Sequence, residues 1–137
     1  MDSPAPSALD IALIEDSPML RNLLASMLAD IPDTCIVGTA TSEADGLALL
    51  QRTRPQLVIV DLELQEGSGL AVLAALKHQP ERFGTPRAVV FSNHAHSVVQ
   101  ARCRTLGAVA FFDKSFQMDE LIRFIEDAAD HRLAASA

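Results

Sequence analysis

Cysteine is scarce in this 137-residue chain, and the two present, Cys35 and Cys103, stand far apart with no C-x-x-C or other metal-ligand spacing. That excludes a disulfide-framed scaffold and a cysteine zinc site, and it favours a reducing, cytoplasmic setting. Long apolar runs are also missing. The longest are strand-length and are broken by Asp, Glu or Arg well short of the roughly eighteen residues a membrane span needs, so no membrane association is expected. The opening segment "MDSPAPSALD" has neither a basic stretch nor a long apolar one, so no secretory signal is expected. Basic clusters are absent too, and the formal net charge is −7, which argues against direct nucleic-acid binding. Neither a repeat of tens of residues nor a low-complexity tract appears.

What is present is globular composition, with 49% apolar and 21% charged residues. The length suits one domain, expected over residues 9–133, with flexible tails at 1–8 and 134–137. Five short apolar segments recur: "DIALIED" (10–16), "TCIVGTA" (34–40), "QLVIVD" (56–61), "RAVVFS" (87–92) and "AVAFFD" (108–113). Each is followed by a stretch with helical periodicity. Ser17 as N-cap and Pro18 in the first helical position open a helix whose apolar face is Leu20, Leu23, Leu24, Met27 and Leu28.

Ser42 and Asp45 resemble a capping box for a second helix, with Ala44, Leu47 and Leu50 on its apolar face. A third helix follows the "EGSG" turn and carries Leu70, Leu73, Ala74 and Leu76. The fourth runs over about 97–106 and stops at Gly107, and the fifth runs over about 118–133 with Leu121, Ile122, Ile125 and Ala128 or Ala129 inward. Strand alternating with helix five times predicts an α/β fold with right-handed crossovers and a mostly parallel sheet covered on both faces. The near-continuous apolar strands agree with burial on both faces.

In such sheets chemistry lies beyond the carboxyl ends of the strands. Reading those ends gives Glu15 and Asp16, then Asp61, Ser92, and Lys114 just past the fifth strand. Taken singly, each is an ordinary turn or surface residue. An acidic pair, a lone Asp, a Ser and a Lys at corresponding strand ends form a more specific set. With these separations, and over about 11–133, the chain resembles the receiver domain of two-component response regulators.

The resemblance implies a flavodoxin-like (βα)5 three-layer sandwich with strand order 2-1-3-4-5, which would set Asp16 beside Asp61. It implies a phosphoacceptor that phosphorylates and dephosphorylates itself, rather than a metabolic enzyme. Three carboxylates in one pocket repel unless a cation joins them, and Mg2+ suits hard oxygen donors, with Mn2+ as a substitute. Asp16 and Asp61 are expected as direct ligands and Glu15 through a water; by resemblance the Glu63 backbone carbonyl completes the set. Asp61 reads as the nucleophile, with Lys114 and the Ser92 hydroxyl contacting the phosphoryl oxygens.

By the same resemblance Ser92 and Phe111 are the switch pair, and Glu63 and His94 tune the phosphoryl lifetime. Phe111 stands where the family more often has Tyr, Ser115 follows Lys114 where Pro is usual, and "LQEGSG" lacks the usual loop proline. The expected phosphodonor is a histidine kinase or a histidine phosphotransfer protein. Output is expected through a downstream protein target, homodimerisation or onward relay, because few residues follow the fifth helix. The fourth helix, fifth strand and fifth helix, with Arg102, Arg104 and Arg123, form the expected surface.

Two alternatives stand beside this reading: a receiver-like interaction module that needs no phosphorylation, and a small aspartyl-phosphate phosphatase suggested by Asp61-Leu62-Glu63. The phosphatase's second Asp is missing. His94 and His96 form a lone His-x-His, better read as a solvated loop than as a metal site. Cys35 and Cys103 read as small apolar fillers.

Overall fold

The structure, a computed structural model, describes residues 8–93 and 96–136, with only the backbone described over 132–136. His94 and nearly all of the tail expected at 1–8 lie outside the described residues. The chain alternates β1 (Leu9–Ile14), α1 (Pro18–Ala29), β2 (Thr34–Ala40), α2 (Glu43–Thr53), β3 (Leu57–Val60) and α3 (Gly69–His78). A 3-10 turn (Pro80–Phe83) follows, then β4 (Arg87–Ser92), α4 (Ser97–Thr105), β5 (Ala110–Asp113) and α5 (Met118–Ser136). All strand pairs are parallel, in the order β2-β1-β3-β4-β5.

Strand periodicity divides the core into two layers. On β1, Leu9, Ile11 and Leu13 pack toward α1 and α5 with Leu24, Leu28, Leu121 and Ile125, while Ala12 and Ile14 join Leu49, Leu50, Leu73 and Cys103 on the other face. Each fully buried Leu, Ile or Phe contributes about 1.5–3 kcal/mol of transfer free energy. No helix among the described residues is long and apolar enough to cross a membrane.

Local signals hold at the helix starts. Ser17 Oγ accepts from Leu20 N–H at 3.3 Å with Pro18 in the first turn, and Ser42 Oγ accepts from Asp45 N–H at 3.2 Å. Gly107 takes the left-handed conformation at φ 98° after α4, as its position predicts.

The helix faces differ in detail. Leu23 is 47% exposed, because Leu24 and Leu28 already fill the contact of α1 with the sheet. On α2 Ala44 is exposed, and the buried residues are Gly46, Leu49 and Leu50. Gly46 is chosen by a close approach: a Cβ there would come within 2.8 Å of the Ile14 side chain. Cys103 is buried as expected, and burial raises its thiol pKa. Cys35 is exposed on the edge strand β2 and fills no core space. The last helix continues through Ser136, past its expected end.

Candidate functional site

Register brings the site together. Ile14 of β1 pairs with Val60 of β3, so the next residues, Glu15 and Asp61, leave the sheet side by side. The Asp61 N–H donates to the Ile14 carbonyl at 3.0 Å, which holds this exit. On β4, the next strand beyond β3, Ser92 pairs with Asp113 of β5, and the Lys114 N–H donates to the Ser92 carbonyl at 3.1 Å. Asp61 continues the alternation of Leu57 and Ile59, Glu15 that of Leu13, and Lys114 that of Ala110 and Phe112, all toward the α1/α5 side. Their side chains therefore meet.

The Lys114 ammonium lies 2.7 Å from Asp61 Oδ2 and 3.0 Å from Glu15 Oε1. Glu15 and Asp61 are nearly inaccessible, with side-chain exposures of 2% and 4%, against 15% for Lys114. Oxygens of Glu15, Asp16 and Asp61 all lie within 4.8 Å of one another, the arrangement of a possible metal centre. Burial raises the Glu15 pKa above the usual carboxylate value, against the opposing effects of a Ser17 N–H bond and of Lys114. Burial pushes Lys114 down, but its bonds to Asp61 and Glu15 outweigh that and leave it above the ordinary lysine value. When all four groups are ionised, two negative charges stay uncompensated, the charge of one divalent cation. The donors are all hard carboxylate oxygens, so the residues fit Mg2+ or Mn2+.

Four of the residues expected at the site, Glu15, Asp16, Asp61 and Lys114, are gathered in one cluster. Ser92 is fully buried on β4, and its Oγ has no hydrogen-bond partner among the described residues. A buried hydroxyl without a partner is costly, and it is suited to an oxygen that arrives with a ligand. Phe111 is half-buried on β5, packs against the core and lines a cavity of about 150 Å3 with Cys103 and Arg104; it is separate from the cluster. The Glu63 side chain is exposed, and its N–H donates to Asp61 Oδ1 at 3.3 Å. Arg102, Arg104 and Arg123 are exposed. No peptide bond among the described residues is cis, so Lys114–Ser115 is trans.

Sequence reasoning missed the residues that build the two loops. A Cβ on Gly69 would overlap the Asp61 carbonyl, so only glycine lets α3 start this close to the strand end. The Ser68 N–H donates to Glu43 Oε1 at 3.1 Å, tying this loop to the start of α2. After β5, Asp113 and Gln117 bond to the backbone on either side of Lys114. The signals were there in outline: Asp113 two residues before Ser115 suits an Asx turn, and Gln117 three before Glu120 suits a helix start.

The model of the response regulator receiver domain matches residues 11–126. The chain belongs to this receiver family. Among similar proteins, the nitrate/nitrite response regulator protein NarL of Escherichia coli (strain K12) is 33% identical over 128 residues, covering 92% of this chain. The chain spans only 57% of that relative's length. The response regulator domain of Thermotoga maritima CheB superposes with a TM-score of 0.77 at 16% identity, covering 93% of this chain and 97% of that one. The Mn(2+)-bound form of response regulator Rcp1 superposes at 0.73 with 23% identity, covering 86% of this chain and 89% of that one. These two likenesses speak to the fold, a flavodoxin-like receiver sandwich.

Proposed function

We propose that this receiver accepts a phosphoryl group on the Asp61 carboxylate from a histidine kinase or a histidine phosphotransfer protein. The observation that carries the reading is the Lys114 ammonium, 2.7 Å from Asp61 Oδ2 and beside a buried carboxylate cluster. The carboxylate oxygen forms the new O–P bond as the donor's P–N bond breaks, its electron pair staying on the imidazole nitrogen. Lys114, now paired with Asp61, follows the negative charge onto the phosphoryl oxygens. The Ser92 hydroxyl then gains the acceptor it lacks.

Asp16, Asp61 and the Glu63 carbonyl would hold Mg2+, with Glu15 acting through a water; Mn2+, named for the solved Rcp1 form, would serve likewise. When bound, the cation supplies charge neutralisation that Lys114 alone does not. Water later breaks the P–O bond of the acyl phosphate and regenerates the carboxylate, with Glu63 and His94 tuning that rate. Ser92 and Phe111 pass the change of charge to α4, β5 and α5, where Arg102, Arg104 and Arg123 would meet a downstream protein or a second copy.

The test is incubation with acetyl phosphate and Mg2+, read by intact mass. A gain of one phosphoryl group that disappears in Asp61→Asn supports the reading. No gain in the native chain favours a phosphorylation-independent module, and steady turnover of unrelated phosphomonoesters favours a hydrolase.

A further inference from the structure

Lys114 sits in a loop that has almost no apolar anchoring. Ser115 is exposed and Phe116 is 82% exposed, so packing does not hold the backbone that carries the ammonium. Hydrogen bonds hold it instead. Asp113, only 9% exposed, accepts the Ser115 N–H on its Oδ1 at 2.7 Å, an Asx turn that spans Lys114. The Asp113 N–H donates to Gln117 Oε1 at 2.8 Å, and the Asp113 carbonyl accepts from the Gln117 N–H at 2.8 Å. Gln117 Nε2 in turn donates to Glu120 Oε2 at 2.7 Å, anchoring the set to the first turn of α5.

We propose that Asp113 is a positioning residue for Lys114, with Gln117 holding Asp113 in place. The inference rests on the phosphoryl-acceptor reading above. In that reading the lysine side chain has to move from Asp61 to an incoming phosphoryl oxygen. A long, flexible side chain can make that move productively only if its Cα stays fixed, and the Asx turn fixes it from both neighbours. The turn also accounts for a sequence feature. It uses the N–H of residue 115, which a proline would not have, so Ser115 and Asp113 form one device.

The test measures phosphorylation rates of the full chain with acetyl phosphate, together with Mn2+ affinity. Asp113→Ala is expected to slow phosphorylation about tenfold with Mn2+ affinity within about twofold of native, because the carboxylates of the cluster and the Lys114 charge all remain in the site. Asp113→Asn keeps an acceptor oxygen and should recover to within about twofold of the native rate. In a Lys114→Ala background, Asp113→Ala should have no further effect. Gln117→Leu provides a second, milder variant, expected to be about threefold slower and likewise silent without Lys114.

A native rate in Asp113→Ala overturns the inference, as does an equal loss with and without Lys114. So does an Asn variant as slow as the Ala variant. If the native chain itself takes up no phosphoryl group, the acceptor reading fails first, and that outcome is distinct from the others.

Discussion

The loop after β3 and the loop after β5 carry the opposite charges of the site, Asp61 and Lys114, yet they are held in different ways. The first is built into its neighbour. Gln65 N–H donates to the Thr41 carbonyl at 3.1 Å, Glu43 N–H to the Glu66 carbonyl at 2.9 Å, and Thr41 Oγ1 to Gln65 Oε1 at 3.1 Å. With the Ser68–Glu43 bond and the contact at Gly69, the segment after Asp61 is fastened at both ends. The second loop closes on itself through Asp113 and Gln117 and reaches the rest of the sheet mainly through Lys114. Damage to the first loop should therefore lower stability and metal affinity, and damage to the bonds that shape the second, Lys114 itself aside, should show chiefly in rates.

The largest effect is expected from Gly69→Ala, where a methyl would collide with backbone rather than with a yielding side chain. It should cost about 3 kcal/mol in urea unfolding, and a loss under about 1 kcal/mol would show that the first loop is looser than its contacts suggest. Next comes Lys114→Ala, which leaves Glu15 and Asp61 buried without their cation. We expect a loss of about 2 kcal/mol, less than for a fully enclosed pair because the site edge is open to water. Added Mg2+ should restore more stability to this variant than to the native chain, and phosphorylation should fall about a hundredfold.

Glu43→Ala removes one bond from the strap between loops. It should cost about 1 kcal/mol and weaken Mg2+ binding about tenfold by calorimetric titration, whereas Asp113→Ala should leave that affinity within about twofold of native. The smallest change in stability is expected from Ser92→Ala. Its hydroxyl is buried without a partner, so thermal unfolding should stay within about 0.5 kcal/mol of native or rise, while phosphorylation slows about tenfold.

The contrast between the loops also marks how far the sequence could be read. Asp61 stood out because a strand buried on both faces reads as an unbroken apolar run, so the first charge marks its exit. Glu15, Ser92 and Lys114 were legible for the same reason. Strand order came from the family resemblance rather than from spacing, since sequence does not record which strands pair.

On α2, Leu50 is buried and Leu47 packs against the core as expected, and only Ala44 was misplaced: the helix packs instead on its smallest residue, Gly46, against Ile14, a choice set by the distance between elements. Leu23 was misassigned because α1 has more leucines than its contact can cover. The strap from Glu43 to Ser68 crosses 25 residues of sequence and leaves no local pattern. The Asp113 turn was within local reach, but Asp113 also looked like an ordinary strand end.

At the centre stands the assignment of the phosphoryl group to Asp61. It is tested most directly by treating the phosphorylated chain with hydroxylamine, which converts an acyl phosphate to a hydroxamate, and locating the modified residue by peptide mass spectrometry. The hydroxamate is expected at Asp61, formed only after exposure to phosphodonor and Mg2+. Modification at any other carboxylate, or none at Asp61 in a chain that has gained a phosphoryl group, would contradict it.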